Sequence, residues 1–180
     1  MWVPIPPEAP VTSAVRPCRS SICVSLVHQY SARVITVATE ADLPELLPLM
    51  RAYCDFYGVA PDDEQLLVMA RALIADPDRE GIQLIARGAD GRAVAFATVF
   101  WTWSTLSASR IGVMNDLFVS PDARGRRLGE ALIEACRERC ARHGATSLQW
   151  QTAKSNERAQ RLYDRIGGER AEWLDYSLEV

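Results

Sequence analysis

With 180 residues, 48% of them hydrophobic, the chain has the length and apolar content of one globular domain. Its formal net charge of -3 excludes the broad positive field that draws proteins onto nucleic acid or anionic lipid, so any anion has to be held locally. Five cysteines, an odd number without C-x-x-C spacing, favour neither a disulfide framework nor a zinc site and suit a reducing cytoplasm.

Residues 1–32, rich in proline and serine, read as a flexible tail ahead of a domain at 33–180. The apolar run from Ile22 to Val27 is broken by Ser25 and too short for a membrane span or signal peptide, and His28 has no evident partner. A strand is expected at 33–38. Asp42 and Glu45 make a capping box for a helix carried by Leu43, Leu46, Leu47, Met50, Cys54 and Tyr57, which Pro48 should kink. A second helix, on Leu66, Leu67, Met69, Ala70, Leu73 and Ile74, ends before Pro77.

Three strands follow as a meander, starting at Gly81, Arg92 and Arg110, the first two joined across the turn Gly88 to Gly91. A third helix is expected from Arg127 to His143, a strand at 146–151, a helix on Ala159, Leu162, Tyr163 and Ile166, and a closing strand at 173–180. Cys136, Cys140 and His143 share a helical face, but the cysteines continue the stripe of Leu128, Leu132 and Ala135, so core packing is the reading and no metal is assigned. The order implies an α/β sheet of mixed direction.

Residues 116–133, DLFVSPDARGRRLGEALI, take an apolar strand through a Pro-Asp turn and an arginine-glycine cluster straight into a helix. The first turn of a helix has unpartnered N–H groups and a partial positive charge, the glycines allow close approach, and Arg124, Arg126 and Arg127 add full charges. A diphosphate fits such a junction. Neither G-x-x-x-x-G-K-S/T nor G-x-G-x-x-G with its later acid is present, which removes support for nucleotide hydrolysis and nicotinamide binding.

This stretch resembles motif A of the GNAT superfamily of N-acetyltransferases, a Q/R-x-x-G-x-G/A loop between the fourth strand and the next helix that holds the pyrophosphate of acetyl-CoA. Arg124 matches its first position and Gly129 its last, while Arg127 stands where glycine is usual. Asn156-x-x-Ala159-x-x-Leu162-Tyr163 resembles the family's later helix motif. The resemblance implies a sheet of about six to seven strands with about four helices, splayed between the fourth and fifth strands. It places Leu117, Phe118 and Val119 along the pantetheine arm, one of their N–H groups stabilising an oxyanion, and puts Arg124 and Gly125 in the cofactor loop. The N–H groups of Arg126, Arg127, Leu128, Gly129 and Glu130 would take the pyrophosphate, and Asn156 would bond further along the cofactor. Arg127 is expected to keep a negative φ and turn its side chain onto a phosphate.

Tyr163 matches the position facing the thioester sulfur; since a phenol (pKa about 10) lies above a thiol (about 8.5), a hydrogen bond or a late transfer suits it better than full protonation of a finished thiolate. An alkylammonium is neutral only about once in 10³ at pH 7, so a base or desolvation is needed, and Asp116 is the candidate, with Asn115 beside it. Strict alternation puts Asp116 with Met114 and Phe118 on one face and Asn115 with Val113 and Leu117 on the other. Tyr53, Phe56 and Tyr57, with Trp101 and Trp103 on one strand face, are candidates for an aromatic acceptor wall, whereas Trp150 and Trp173 are read as packing.

The resulting expectation is a cytoplasmic, acetyl-CoA-dependent N-acetyltransferase acting on a small-molecule primary amine by direct attack in a ternary complex, without nucleic-acid or membrane partners. A protein N-terminal or lysine acetyltransferase and a non-catalytic acyl-CoA-binding regulatory module are the alternatives, and a homodimer is left open.

Overall fold

A computed structural model describes residues 35–172, 174 and 176–178. Its elements are β1 (Ile35–Val37), α1 (Leu43–Tyr57), α2 (Asp63–Ala75), β2 (Gly81–Arg87), β3 (Ala93–Ser104), β4 (Ser109–Val119), α3 (Leu128–Arg142), β5 (Leu148–Gln149) and α4 (Glu157–Arg165). The sheet has the order β1-β2-β3-β4-β5; the first four strands are mutually antiparallel and β5 runs parallel to β4.

Five strands stand among the described residues, fewer than the six to seven expected. The closing strand expected at 173–180 lies partly outside the described residues, and 174 and 176–178 belong to no regular element. Arg33, Val34 and the whole of 1–32 also lie outside them. The strand expected at 146–151 shrinks to Leu148–Gln149.

Two apolar layers sandwich the sheet. On one face Leu46, Met50 and Cys54 of α1 and Ala70 of α2 meet Ile85, Phe96 and Phe118. On the other, Leu132, Cys136 and Cys140 of α3 cover Ala95, Ala97, Val99 and Met114. The two cysteines belong to this core, and burial pushes their thiols up, to about 12 for Cys136 and about 11 for Cys140. β2 is apolar on both faces because helices cover both, with Gln83 its buried polar exception.

The ends of α1 differ from the expected capping box. Thr39 and Asp42 form the box around a short 3-10 turn, while Glu45 accepts the N–H of Ala93 at 2.8 Å and pairs with Arg87. Pro48 lies inside α1 without ending it, and Gly58, at φ 68, terminates the helix in the left-handed conformation.

A bulge interrupts the β3–β4 ladder. Thr98 faces Asp116 and Val99 faces Met114, so Asn115 is the extra residue, opposite no partner. The bulge cancels the alternation expected for this stretch: Met114 joins the α3-side core and Phe118 the α1-side core. β5 pairs only at Gly112 and Val113, which leaves Met114 to Val119 without a ladder partner on that side.

Gly112 permits the α3 contact beside this gap. A Cβ there would lie 2.5 Å from Cys140 Sγ and 3.1 Å from the Trp101 ring. Gly112→Ala is expected to cost about 1–3 kcal/mol of stability in urea denaturation. Adding Cys140→Ala should return part of that loss; strict additivity of the two changes would show that the contact does not matter.

Candidate functional site

The gap between β4 and β5 opens into a cleft of about 610 Å³. Its walls come from the end of α1 (Tyr53, Phe56, Tyr57), β4 (Met114, Asn115, Leu117, Phe118, Val119), the turn into α3, the exit of β5 (Trp150, Gln151) and one side of α4.

At the α3 end the chain turns on Gly125, at φ 79, and on Arg127, at φ 58 and ψ 24. Arg127 does not keep the expected negative φ. It takes the left-handed conformation that glycine adopts freely, at a cost of roughly 1–2 kcal/mol for a residue with a side chain. Arg127 is the N-cap of α3, a position that is ordinarily extended, and no side chain caps the helix. The N–H groups of Leu128, Gly129 and Glu130, residues that line the cleft, have no intrahelical acceptors.

Arg124 braces the loop: its Nε donates to the carbonyl of Val119, at the end of β4, at 2.9 Å. Glu130 is less settled. Its Oε2 is buried without a hydrogen-bond partner, flanked by Arg165 at 3.5 Å and Arg127 at 3.8 Å. Gly125, Arg127, Leu128, Gly129 and Glu130 all line the cleft, whereas Arg126 does not.

On α4, Asn156 caps the helix through Oδ1, which accepts the N–H of Ala159 at 3.2 Å, and also lines the cleft. Tyr163 lines it seven residues on, its ring edge-on to Trp150 with centroids 5.3 Å apart. Burial, with the neighbouring Tyr57, pushes the Tyr163 phenol above its ordinary value, so at neutral pH it is a proton donor.

Asp116 lies beneath the cleft, 7% exposed and not on its wall. It accepts hydrogen bonds from Thr98, Tyr53 and the Asn115 amide, the last at 3.0 Å. Thr98 in turn receives Gln83 Nε2 at 3.1 Å, so a buried polar row crosses β2, β3 and β4 and ends at Tyr53. Burial raises the Asp116 carboxyl above its usual range despite these three donors. The Tyr53 hydroxyl, 3.3 Å from the Asn115 carbonyl, is pushed up by burial and by the charge of Asp116.

The aromatic candidates separate. Tyr53 and Tyr57 meet edge-on at 5.1 Å and Phe56 and Tyr57 at 5.0 Å, one continuous wall of the cleft. Trp101 and Trp103 are not on it: Trp101 is buried against α3, stacked on His143 at 4.2 Å with Nε1 donating to the Pro77 carbonyl at 2.8 Å, and Trp103 is exposed under the Arg110 guanidinium. Sequence reasoning missed Arg158, Arg161 and Arg165 and took Trp150 for packing alone, yet all four line the cleft. The arginines recur at i, i+3 and i+7, a basic stripe on α4 that was visible as a spacing.

A cleft formed where two strands part, with a helix N-terminus at one end and a half-buried phenol within, defines an acyl-transferase class of fold. Residues 46–168 match the model of the acetyltransferase (GNAT) family, and the chain belongs to that family; it is a GNAT-type N-acetyltransferase. It is similar to the uncharacterised N-acetyltransferase YhfO of Bacillus subtilis (strain 168), 32% identical over 147 residues that span 81% of this chain and 97% of that protein. Among solved structures it is similar to a probable acetyltransferase, with TM-score 0.71, 26% identity and coverage of 82% of this chain and 97% of that one. It shares its fold with AAC(6')-Iy, solved with a bisubstrate analogue of CoA and acetylneamine, at TM-score 0.71 and 21% identity over 83% of this chain and 99% of that one. Members of the family use acetyl-CoA. Among the described residues no helix is long and apolar enough to cross a membrane.

The raised Asp116 carboxyl has a measurable consequence. Because the folded state holds this proton to higher pH than the unfolded chain, whose value is near 3.8, the group's contribution to stability is greatest below that value and falls as pH rises through the folded pKa. Asp116→Asn removes the term. Its stability relative to the unsubstituted chain, from urea midpoints, is expected to improve between about pH 4 and pH 8. A difference independent of pH would show that the buried carboxyl is not what the pH acts on.

Proposed function

We propose that this chain transfers the acetyl group of acetyl-CoA to the primary amine of a small molecule, by direct attack within a ternary complex. The observation that carries the reading is the convergence on one cleft of an uncapped helix N-terminus, the unpaired edge of β4 and the protonated Tyr163. The residues suit the cofactor. Gly125, at φ 79, turns the chain with open space where a Cβ would stand, and Gly129 is kept small by Leu162, which a Cβ would meet at 3.1 Å, so a diphosphate can approach the backbone at both.

In this reading the N–H groups of Leu128, Gly129 and Glu130 hold the diphosphate, and the backbone edge of Leu117, Phe118 and Val119 aligns the pantetheine arm. Arg124 acts by bracing the loop rather than by direct charge. Asn156 uses its oxygen as a helix cap, which leaves its NH₂ as the donor toward the cofactor. When bound, acetyl-CoA supplies the activated acetyl group; Tyr163 Oη donates a proton or hydrogen bond to the departing sulfur. Asp116, through the hydroxyl of Tyr53, accepts the proton that the amine must lose.

Tyr163→Phe is expected to lower kcat about 10²-fold while leaving the acetyl-CoA dissociation constant, by calorimetry, where it was. Turnover unaffected by that change would remove Tyr163 from the mechanism, and failure of the unsubstituted chain to bind acetyl-CoA would remove the whole reading.

The unsatisfied Glu130 carboxylate gives a second test. It lies among the groups that would meet the diphosphate, so Glu130→Gln should tighten acetyl-CoA binding by roughly three- to tenfold, with a steeper salt dependence because the net attraction to be screened is larger. Weaker binding would mean that the carboxylate positions Arg127 and Arg165 instead.

A further inference from the structure

Five arginines, Arg124, Arg127, Arg158, Arg161 and Arg165, line the cleft against one acidic side chain, Glu130. Four of them have neighbours. Arg124 is bonded to Val119, Arg127 and Arg165 flank Glu130, and Arg161 lies 3.2 Å from Glu157. Arg158 makes no ion pair or hydrogen bond with any described residue.

Arg158 is also where the cleft widens. A second hollow of about 410 Å³ shares Phe56, Tyr57, Asn156 and Arg158 with it. The exposed rings of Phe56 (59%) and Tyr57 (45%), at the last turn of α1, thus face the same space as a guanidinium on the first turn of α4. A cation there sits at the positive end of a helix; the one carboxylate beside it, Glu157, also lines the hollow and is engaged by Arg161, so the Arg158 guanidinium keeps its donors for an anion.

Acidic groups are outnumbered where a cationic acceptor would need them: Glu130 and Glu157 stand against five arginines. Asp116 is buried and already holds three donors, and Glu157 is engaged by Arg161. An acceptor with several ammonium groups would bring its extra charges beside five guanidinium groups and only two carboxylates, Glu130 and Glu157, each already beside an arginine, a like-charge penalty that favours other ligands.

We infer that the acceptor is an aminocarboxylate with an apolar or aromatic body, its side chain against Tyr53, Phe56 and Tyr57 and its carboxylate paired with Arg158. This rests on the N-acetyltransfer reading and narrows it. The guanidinium offers a carboxylate two parallel N–H donors, and the aromatic wall supplies contact area at little entropic cost.

The test compares ligands that differ in the carboxylate alone. Phenylalanine, as either enantiomer, and phenethylamine share a ring and an amine, and spermidine serves as the polycation; each is offered with acetyl-CoA while thiol release is followed, and each is titrated calorimetrically into the CoA-loaded chain. One phenylalanine enantiomer or both should exceed phenethylamine and spermidine by tenfold or more in kcat/KM or affinity, the scale of one charge-assisted contact of about 1.5–3 kcal/mol. Arg158→Gln should bring that preference down to about unity. Preference for phenethylamine or spermidine overturns the inference and leaves the acetyltransfer reading standing. Loss of CoA affinity in Arg158→Gln, with the phenylalanine preference intact, also overturns it and assigns Arg158 to the cofactor. If CoA binds but phenylalanine neither binds nor turns over, the acceptor class is wrong; if CoA itself does not bind, the acetyltransfer reading falls first.

Discussion

The extra residue at Asn115 is the constraint on which the site depends. A strand in strict alternation would present Met114, Asp116 and Phe118 to one layer, and a carboxylate would then share its face with two core residues. The bulge lets Met114 complete the α3-side core while Asp116 and Phe118 turn to α1. The same stretch of β4 loses its β5 partner, so backbone groups that a continuous sheet would consume remain available along one wall of the cleft. Bulges increase local twist, and a strand pair that parts immediately beyond one is the geometry to expect.

The polar row from Gln83 through Thr98 to Asp116 runs against the logic of an apolar core. Burying an ionisable carboxyl opposes folding even with three donors, and Gln83 leaves its Oε1 without a partner. Two well-filled apolar layers offset that cost. The row terminates at Tyr53, where α1 meets the cleft, so the least comfortable buried group in the sheet lies directly behind the aromatic wall. Strain at Arg127 has the same character: a side chain held in glycine's conformation, at the turn where the helix N-terminus faces the cleft.

Periodicity in the sequence carried the large elements. β2 runs over Gly81–Arg87 as its apolar run indicates, α3 differs from its expected bounds by one residue at each end, and the cysteines of α3 lie in the core, as the stripe from Leu128 indicates. What failed was finer than a period. A bulge adds one residue and leaves no compositional mark, so the faces of β4 were misjudged. Trp101 shares a strand face with Trp103, but that face looks to α3, which local alternation cannot say. The strand at 146–151 shortened because sequence reports the tendency to extend, whereas pairing depends on where the neighbouring strand goes. The loop at Arg124 to Gly129 was recognisable by resemblance, yet the sign of φ at Arg127 belongs to the turn as a whole.

The backbone edge of β4 and the rings on the last turn of α1 belong to separate parts of the chain, and that separation has an evolutionary consequence. In the proposed reading, recognition through main-chain groups is indifferent to most substitutions along β4, so it can persist while sequences drift. The α1 terminus, released at Gly58 and carrying Phe56 and Tyr57 outward, can be rewritten without disturbing the strand beneath. A lineage built in this way can exchange one clientele for another by editing a single helical turn.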